Sequence, residues 1–176
     1  MKPSIHFEEL ATRVGLAVQL SGSFLLRSGQ TATDYFNKYR FEADPNLLRA
    51  VAEHMVPIAP PDTEVLAGLE LSGVPIATAL SLVTGIPLCF VRKEAKAYRT
   101  ARLAEGADIE GRRVLVVEDV VTTGGQIVIS TGDLRDRGAI IDTALCAIDR
   151  EQGGSEGLTI AGVSLQSVFT RSQIER

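Results

Sequence analysis

The stretch that decides the fold runs Val114-Leu115-Val116-Val117-Glu118-Asp119-Val120-Val121-Thr122-Thr123-Gly124-Gly125. Four apolar residues lead directly into two carboxylates, and two hydroxyls and two glycines follow. An unbroken run of β-branched residues is typical of a parallel strand covered on both faces. The amphipathic stretch 126–137, closed by Gly138, predicts the helix that follows. We therefore expect a strand, a turn and a helix, with the turn at the sheet edge where ligands bind in open parallel folds.

The side chains of this turn suit a sugar phosphate. Gly124 and Gly125 let the backbone approach a ligand closely, and exposed N–H groups at the helix start hold phosphate oxygens. Thr122 and Thr123 add hydroxyl donors, while the two carboxylates accept hydrogen bonds from ribose hydroxyls. The alternative is an ordinary turn with solvated polar residues, but turn chemistry alone does not require an acidic pair, a threonine pair and a glycine pair.

Two common phosphate-binding motifs do not occur in the sequence. It contains no G-x-x-x-x-G-K-[ST] and no G-x-G-x-x-G after a strand. A nucleoside triphosphatase and a dinucleotide-dependent enzyme are therefore disfavoured.

A cluster of positive charge follows the preceding apolar run, Leu88–Val91. Residues 92–102 contain the five cations Arg92, Lys93, Lys96, Arg99 and Arg102, although the whole chain carries a net charge of -4. This local concentration of positive charge predicts a compact anionic ligand such as diphosphate. The alternative is a solvated surface loop. Taken together, the acidic turn and the cationic stretch describe a site for phosphoribosyl diphosphate.

The remaining pattern predicts one α/β domain spanning residues 1–176. The length of 176 residues and the 45% hydrophobic content suit a single core. Asp44 and Pro45 predict a helix start, and Gly85 predicts a helix end. We expect helices over 1–21, 46–54 and 74–84, strands over 64–69, 88–91, 140–148 and 163–170, and a loop over 151–157.

Other functional classes find little support in the sequence. The first helix carries charges and does not resemble a secretory signal, and no apolar run reaches the roughly 20 residues that a membrane span requires. Cys89 and Cys146 lie in apolar runs and suggest buried reduced thiols in the cytoplasm. His6 and His54 lie outside the expected site, which disfavours a serine hydrolase. The net negative charge of the chain argues against binding to the phosphate backbone of nucleic acids.

At this point the chain resembles the type I phosphoribosyltransferases, and within them the orotate phosphoribosyltransferases. The stretch 114–125 is similar to the family's phosphoribosyl diphosphate motif. Residues 22–29, with Tyr35 and Phe36, resemble the segment that encloses the pyrimidine. Residues 73–79 and 92–96 resemble the turn beside the diphosphate and the start of the catalytic loop. Residues 149–154 match the segment whose arginine contacts orotate.

The resemblance implies a fold and a reaction. The fold is α/β, a Rossmann-like parallel sheet flanked by helices, with a small amino-terminal hood and a mobile loop over 93–105. The reaction transfers the phosphoribosyl group of 5-phospho-α-D-ribose 1-diphosphate to orotate, which yields orotidine 5'-phosphate and diphosphate. The family further implies Mg2+, bound mainly through the substrate diphosphate, and a homodimer with shared active sites.

The resemblance also assigns roles to particular residues. It implies catalytic roles for Lys96, Asp119 and Glu118. The residues implied to bind phosphoribosyl diphosphate are Arg92, Lys93, Lys96, Glu118, Asp119, Val120, Val121, Thr122, Thr123, Gly124, Gly125 and Gln126. The residues implied to bind orotate are Thr122, Arg150, Arg27, Tyr35 and Phe36. A guanidinium such as that of Arg150 can meet a carboxylate with two parallel hydrogen bonds.

The chain departs from the family pattern at two places. In the loop, Tyr98 stands where a histidine is expected after the lysines, and Arg99, Thr100 and Ala101 replace the glycines expected just beyond it. Ser72 stands where several relatives have a lysine. The sequence therefore leaves three alternatives: a phosphoribosyltransferase for another base, a weakly catalytic regulatory relative that binds phosphoribosyl diphosphate, and a purely structural α/β domain.

Overall fold

The computed structural model describes residues 3–25, 31–93 and 103–175. Its helices are α1 Phe7–Val18, α2 Tyr39–Glu42, α3 Pro45–Met55, α4 Gly73–Thr84, α5 Gly125–Arg135, α6 Gly154–Ile160 and α7 Arg171–Ile174, with a 3-10 turn at Val56–Ile58. Its strands are β1 Gln19–Leu25, β2 Thr31–Phe36, β3 Val65–Leu69, β4 Leu88–Val91, β5 Ala104–Gly106, β6 Val114–Val121, β7 Thr143–Asp149 and β8 Ser164–Thr170.

Six of these strands form the central sheet of the described chain, in the order β5-β4-β3-β6-β7-β8. All neighbours are parallel except β4 and β5. The chain runs outward from β3 to β4 and β5, and then returns to place β6 on the other side of β3. The strand order thus reverses between β3 and β6, and ligands bind at such a switch point in open α/β sheets.

Both faces of the sheet are covered, as the unbroken apolar strands predict. One core packs α1, α3 and α4 against the sheet, with Leu10, Leu80 and Leu115 fully or almost fully buried. The other core packs α5 and α6 against the opposite face through Ile127, Leu134 and Leu158. The predicted α/β class is confirmed.

Capping residues explain where α3 begins and where α4 ends. The Asp44 carboxylate accepts hydrogen bonds from the backbone N–H groups of Asn46 at 2.8 Å and Leu47 at 3.3 Å, so α3 begins at Pro45 as the sequence predicts. Gly85 ends α4 in the left-handed conformation with φ 77°.

The structure corrects several boundaries. The first helix spans Phe7–Val18 rather than 1–21, because the chain turns at Gln19 into a two-stranded antiparallel hairpin. The sheet is mixed, since β5 is an antiparallel edge strand that occupies the end of the expected loop over 93–105. The expected loop over 151–157 contains the start of α6. In the ranges described, we find no helix long and apolar enough to span a bilayer.

Candidate active site

A cavity of about 300 Å³ opens at the carboxyl ends of β3 and β6. We call it the strand-end cavity. It is lined by Lys38, Glu70, Ser72, Lys93, Glu118, Val120, Val121, Thr122, Thr123, Gly124, Gly125, Gln126 and Ile127. Most of the residues that the family resemblance implies for phosphoribosyl diphosphate therefore line one cavity, whereas Asp119 is fully buried behind its lining. The cis peptide bond between Glu70 and Leu71 lies beside it.

The turn between β6 and α5 forms one wall of this cavity. Thr122 and Thr123 are exposed, and Gly124 adopts the left-handed conformation with φ 73°. A side chain at Gly124 would also come within 3.2 Å of the Gly154 carbonyl oxygen. Because α5 begins at Gly125, the free N–H groups of its first turn and the positive end of its dipole lie at this wall of the cavity. This wall suits a phosphate group.

The two carboxylates lie inside β6 rather than in the turn that the sequence predicts. Glu118 is 8% exposed and Asp119 is fully buried. Glu118 Oε1 accepts hydrogen bonds from Ser72 Oγ at 3.2 Å and from the Asp119 backbone N–H at 3.4 Å. Burial of two neighbouring carboxyls is costly unless a proton or a cation compensates for the charge.

Lys38 supplies that cation. Its ammonium lies 3.1 Å from Asp119 Oδ1 and donates to Ser72 Oγ at 2.6 Å. Burial by itself lowers the pKa of Lys38, but the Asp119 and Glu118 carboxyls outweigh this effect and raise the pKa above its ordinary value. Asp119 Oδ2 is buried and has no hydrogen-bond partner within the described residues.

A third carboxyl, Glu42 of α2, belongs to the same cluster. It is 8% exposed, and neither of its oxygens has a hydrogen-bond partner within 3–25, 31–93 and 103–175. Burial, followed by the charge of Asp119, raises the pKa of Glu42 to about 8. Burial and the adjacent Asp119 raise the pKa of Glu118 to about 9. Burial therefore favours the protonated form of both glutamates, and Lys38 and Asp119 form an ion pair in the cluster.

The cationic stretch after β4 is only partly described. Lys93 lines the strand-end cavity, and its backbone N–H donates to Glu70 Oε2 at 3.2 Å. Arg92 lies outside the cavity lining, where its Nε is 3.3 Å from Glu105 Oε1 of β5. Lys96 and Tyr98, with the rest of 94–102, lie outside the described residues.

A second cavity, of about 370 Å³, is lined by Gln19, Tyr35, Phe36, Arg150, Arg171 and Glu175. We call it the Arg150 cavity. The guanidinium carbon of Arg150 lies 4.2 Å from the centroid of the Phe36 ring, and its Nε is buried without a hydrogen-bond partner among the described residues. Burial, and then the charge of Arg171, lower the pKa of Arg150. A guanidinium that stacks on an aromatic ring and has an N–H donor without a partner suits a planar anionic ligand.

The same segments of the chain contribute residues to both cavities. The Arg150 backbone N–H donates to the Val121 carbonyl at 2.9 Å, so the ends of β6 and β7 are held together. Residues 35–38 line both cavities, since Tyr35 and Phe36 face one and Lys38 faces the other. Thr122 lines the strand-end cavity rather than the Arg150 cavity, and Arg27 lies outside the described residues.

Sequence reasoning missed Lys38 and Glu42 as members of the site. Both come from the short segment 38–42, whereas the residues around them lie on β6 and at the start of α4. The available signal was the position of Lys38, two residues after the aromatic pair already assigned to the ligand. Ser72, noted only as a departure from the family pattern, bridges Lys38 and Glu118.

The histidines and cysteines lie elsewhere. His54 Nε2 is 2.8 Å from the Ile5 carbonyl oxygen, which gives it a structural role at the end of α3. Neither His6 nor His54 lines the two cavities. Cys89 and Cys146 are free and buried, as predicted.

Comparison with known proteins agrees with this geometry. The phosphoribosyl transferase domain family matches residues 41–159. An orotate phosphoribosyltransferase of a Nocardioides species is 50% identical over 166 residues, which cover 94% of this chain and 93% of that protein. The orotate phosphoribosyltransferase of Halobacterium salinarum is 43% identical over 93% of each chain.

Solved structures give the same result. The Mycobacterium tuberculosis orotate phosphoribosyltransferase in complex with iron(III) dicitrate superimposes with a TM-score of 0.85 at 30% identity, covering 97% of this chain and 99% of that one. The same enzyme in complex with 5-phospho-α-D-ribosyl 1-diphosphate gives a TM-score of 0.82 at 28% identity, with the same coverage. These findings confirm the family resemblance seen in the sequence. The chain therefore belongs to the phosphoribosyltransferase family, and within it to the orotate phosphoribosyltransferases.

Proposed function

We propose that this chain transfers the phosphoribosyl group of phosphoribosyl diphosphate to orotate in pyrimidine biosynthesis, and that the two cavities hold the two substrates. The observation that carries this proposal is the pairing of a sugar-phosphate site with a cationic, aromatic cavity across the ends of β6 and β7. The relatives named above are orotate phosphoribosyltransferases, and one of them is solved with phosphoribosyl diphosphate bound.

The phosphoribosyl group would lie along the strand-end cavity. The 5-phosphate would accept hydrogen bonds from the turn 122–125 and the first N–H groups of α5. The ribose would then lie over the end of β6, with its hydroxyls donating to Asp119 and Glu118. Asp119, which forms the ion pair with Lys38, would be the main acceptor of the two.

Orotate would occupy the Arg150 cavity. The unpartnered guanidinium donor of Arg150 would bind the carboxylate of the base, and the rings of Tyr35 and Phe36 would line the cavity around the pyrimidine. By family resemblance Arg27 would join this set, whereas Thr122 lines the strand-end cavity and would contact the base only from that side.

The chemistry of the transfer sets the task of each group. As the bond from the anomeric carbon to diphosphate breaks, the leaving group gains negative charge and the ribose gains positive character. Lys93, together with Lys96 of the loop, would stabilise the first charge, and Asp119 would stabilise the second. A ring nitrogen of orotate attacks the anomeric carbon, so no covalent intermediate with the protein is required.

Mg2+ would accompany the substrate. Asp119 Oδ2, a hard oxygen donor without a hydrogen-bond partner in the described part of the chain, fits this ion. No group of three or more His, Cys, Asp or Glu side chains forms a metal cage among the described residues, so most ligands would be substrate oxygens and water. When bound, the ion offsets negative charge on the diphosphate.

Two further features are proposed from the family resemblance. Closure of the loop over the bound substrates would exclude water, which otherwise competes for the ribose. A homodimer would place loop residues of one protomer in the active site of its partner.

The direct test mixes the purified protein with Mg2+, phosphoribosyl diphosphate and one base at a time. We expect loss of orotate absorbance with release of one diphosphate per orotate, and no diphosphate release with uracil, adenine or hypoxanthine. Turnover of a purine but not of orotate would contradict the proposal, and binding of phosphoribosyl diphosphate without turnover of any base would favour the regulatory alternative.

Arg150→Ala tests the assignment of the second cavity. We expect the KM for orotate to rise by about tenfold or more while the KM for phosphoribosyl diphosphate changes little, because a charge-assisted hydrogen bond to the carboxylate is lost. Equal losses for both substrates would show that Arg150 does not select the base. Arg112→Met, which removes a cation at the opposite edge of the sheet, is the matched control.

A further inference from the structure

Lys38 has a role that neither the family motif nor the sequence pattern assigns. We propose that Lys38 is a substrate-binding residue whose ammonium holds the diphosphate end of phosphoribosyl diphosphate on the β3 side of the strand-end cavity. This inference rests on the proposed function, since the group that Lys38 binds is the leaving group of that reaction.

The contacts of the ammonium leave it able to bind a ligand. Its described hydrogen-bond partners are Ser72 Oγ at 2.6 Å and Asp119 Oδ1 at 3.1 Å. An ammonium has three protons, so one donor remains. The Lys38 side chain is 32% exposed and lines the cavity, whereas its partner Asp119 is fully buried. The exposed part of the Lys38 side chain is therefore accessible from the cavity.

The direction of the substrate in the cavity follows from its two phosphate-bearing ends. The 5-phosphate and the diphosphate leave the ribose on opposite sides of the ring. If the 5-phosphate lies at the turn before α5 and the ribose lies over the end of β6, the diphosphate must extend toward the end of β3. The residues that line the cavity there are Glu70, Ser72 and Lys93, and Lys38 is hydrogen-bonded to Ser72.

The charges on that side favour Lys38 as the contact. Lys93 is exposed, and its backbone is tied to Glu70, a carboxylate that opposes an anion. Lys38 instead is held by Ser72 Oγ and Asp119 Oδ1, and its side chain lines the cavity while Asp119 is fully buried, so the positive charge faces the ligand. Binding the diphosphate would draw the ammonium from Asp119 and release Asp119 Oδ1 for the ribose hydroxyls.

Binding experiments on Lys38→Met separate this role from its alternatives. Titration calorimetry in Mg2+ should show that affinity for phosphoribosyl diphosphate and for inorganic diphosphate falls by about tenfold or more, as expected for loss of a charge-assisted hydrogen bond. Affinity for ribose 5-phosphate, which lacks the diphosphate, should change by less than about threefold. Arg112→Met should leave all three affinities unchanged.

Two results would overturn the inference. Equal weakening of phosphoribosyl diphosphate and ribose 5-phosphate would show that Lys38 acts through Asp119 on the ribose, and unchanged affinities would show that it has only a structural role. Should Lys38→Met not fold, Lys38→Gln serves for the same comparison. Turnover of orotate by the wild type tests the proposed function separately: binding without turnover would end that proposal and leave the Lys38 comparison intact, whereas a wild type that binds neither diphosphate compound would overturn both.

Discussion

The ion pair between Lys38 and Asp119 is the residue contact on which the site depends. The sequence predicts the carboxylate, because Asp119 follows an apolar run and precedes the threonine and glycine pairs. It does not predict the lysine, because 81 positions separate the two residues and no local pattern links them. Partners that meet only through tertiary folding have no periodicity to reveal them.

Asp119→Asn should weaken the binding of phosphoribosyl diphosphate by about tenfold or more, since a neutral amide replaces the anionic acceptor of the ribose hydroxyls. Titration calorimetry in the presence of Mg2+ measures this directly. Asp108→Asn, at an exposed carboxylate outside both cavities, provides the control. An unchanged affinity in Asp119→Asn would remove the ribose assignment.

Glu42 makes the stability of the protein depend on pH. Its pKa is raised from 4.5 to about 8 by burial and by Asp119, so the folded protein retains a proton that the unfolded chain loses above pH 4.5. The stability that this group contributes is fully present below pH 4.5 and is lost as the pH rises toward 8.

Glu42→Gln removes this pH dependence, because an amide resembles the protonated carboxyl and does not titrate. We expect the variant to exceed the wild type in free energy of unfolding by on the order of 2 kcal/mol at about pH 8, and to lose most of this advantage by about pH 4.5. Urea denaturation at the two pH values measures the difference. The same difference at both values would mean that Glu42 is not protonated in the folded protein.

At the scale of elements, the central βα units could be predicted and the small edge elements could not. The strands at Val65–Leu69 and Leu88–Val91 and the helix at Pro45–Met55 follow from apolar runs and clear caps. The hairpin β1–β2 and the edge strand β5 have neither an apolar run nor a recognisable cap in the sequence. β5 has three residues and is defined by its pairing with β4, which no local pattern encodes.

Strand β6 continues through Val121, well beyond its apolar start. The sequence places Glu118 and Asp119 in a turn, because buried carboxylates in a strand are costly. In the structure Lys38 and Ser72 compensate for that cost by ionic and hydrogen-bond contacts, and Val120 and Val121 continue the ladder with β7. The acidic pair is thereby fixed at the end of a rigid strand, which holds it more firmly than a turn would.

The packing of α4 against β6 depends on Gly73. A Cβ at this position would lie 2.5 Å from the Val117 carbonyl oxygen, so Gly73→Ala must push the helix away from the strand. We expect the free energy of unfolding to fall by roughly 2 kcal/mol or more, as is usual for overpacked positions. Chemical denaturation provides the measurement.

Gly132→Ala is the matched control for this substitution. Gly132 lies in α5, and a Cβ added there would meet no heavy atom within 4 Å, so alanine should stabilise the helix by up to about 1 kcal/mol. Equal effects of the two substitutions would contradict the close approach of α4 and β6.

At the scale of the whole molecule, the reversal of strand order between β3 and β6 brings the site together. It places the ends of two strands side by side, and the segment 35–38 closes over them from the hairpin. The sequence predicts the α/β class and the ligand edge, but only the folded chain shows that one segment serves both cavities.

The proposed homodimer predicts complementation between two defective variants. Lys96→Ala and Asp119→Asn should each lower turnover by more than about tenfold. If the loop of one protomer completes its partner's site, mixed dimers contain one intact site, and a re-equilibrated equal mixture should recover about a quarter of wild-type turnover. A mixture no more active than its parts would mean that each loop serves its own protomer or that no dimer forms.

The most direct test of the central claim is a crystal structure of this protein with Mg2+ and phosphoribosyl diphosphate bound. We predict the 5-phosphate at the turn from Thr122 to Gly125, the ribose hydroxyls within hydrogen-bond distance of Asp119, and the diphosphate directed toward Ser72. Density for the ligand at any other place, or carboxylates of β6 that still face only Lys38 while the ligand is bound, would contradict this prediction.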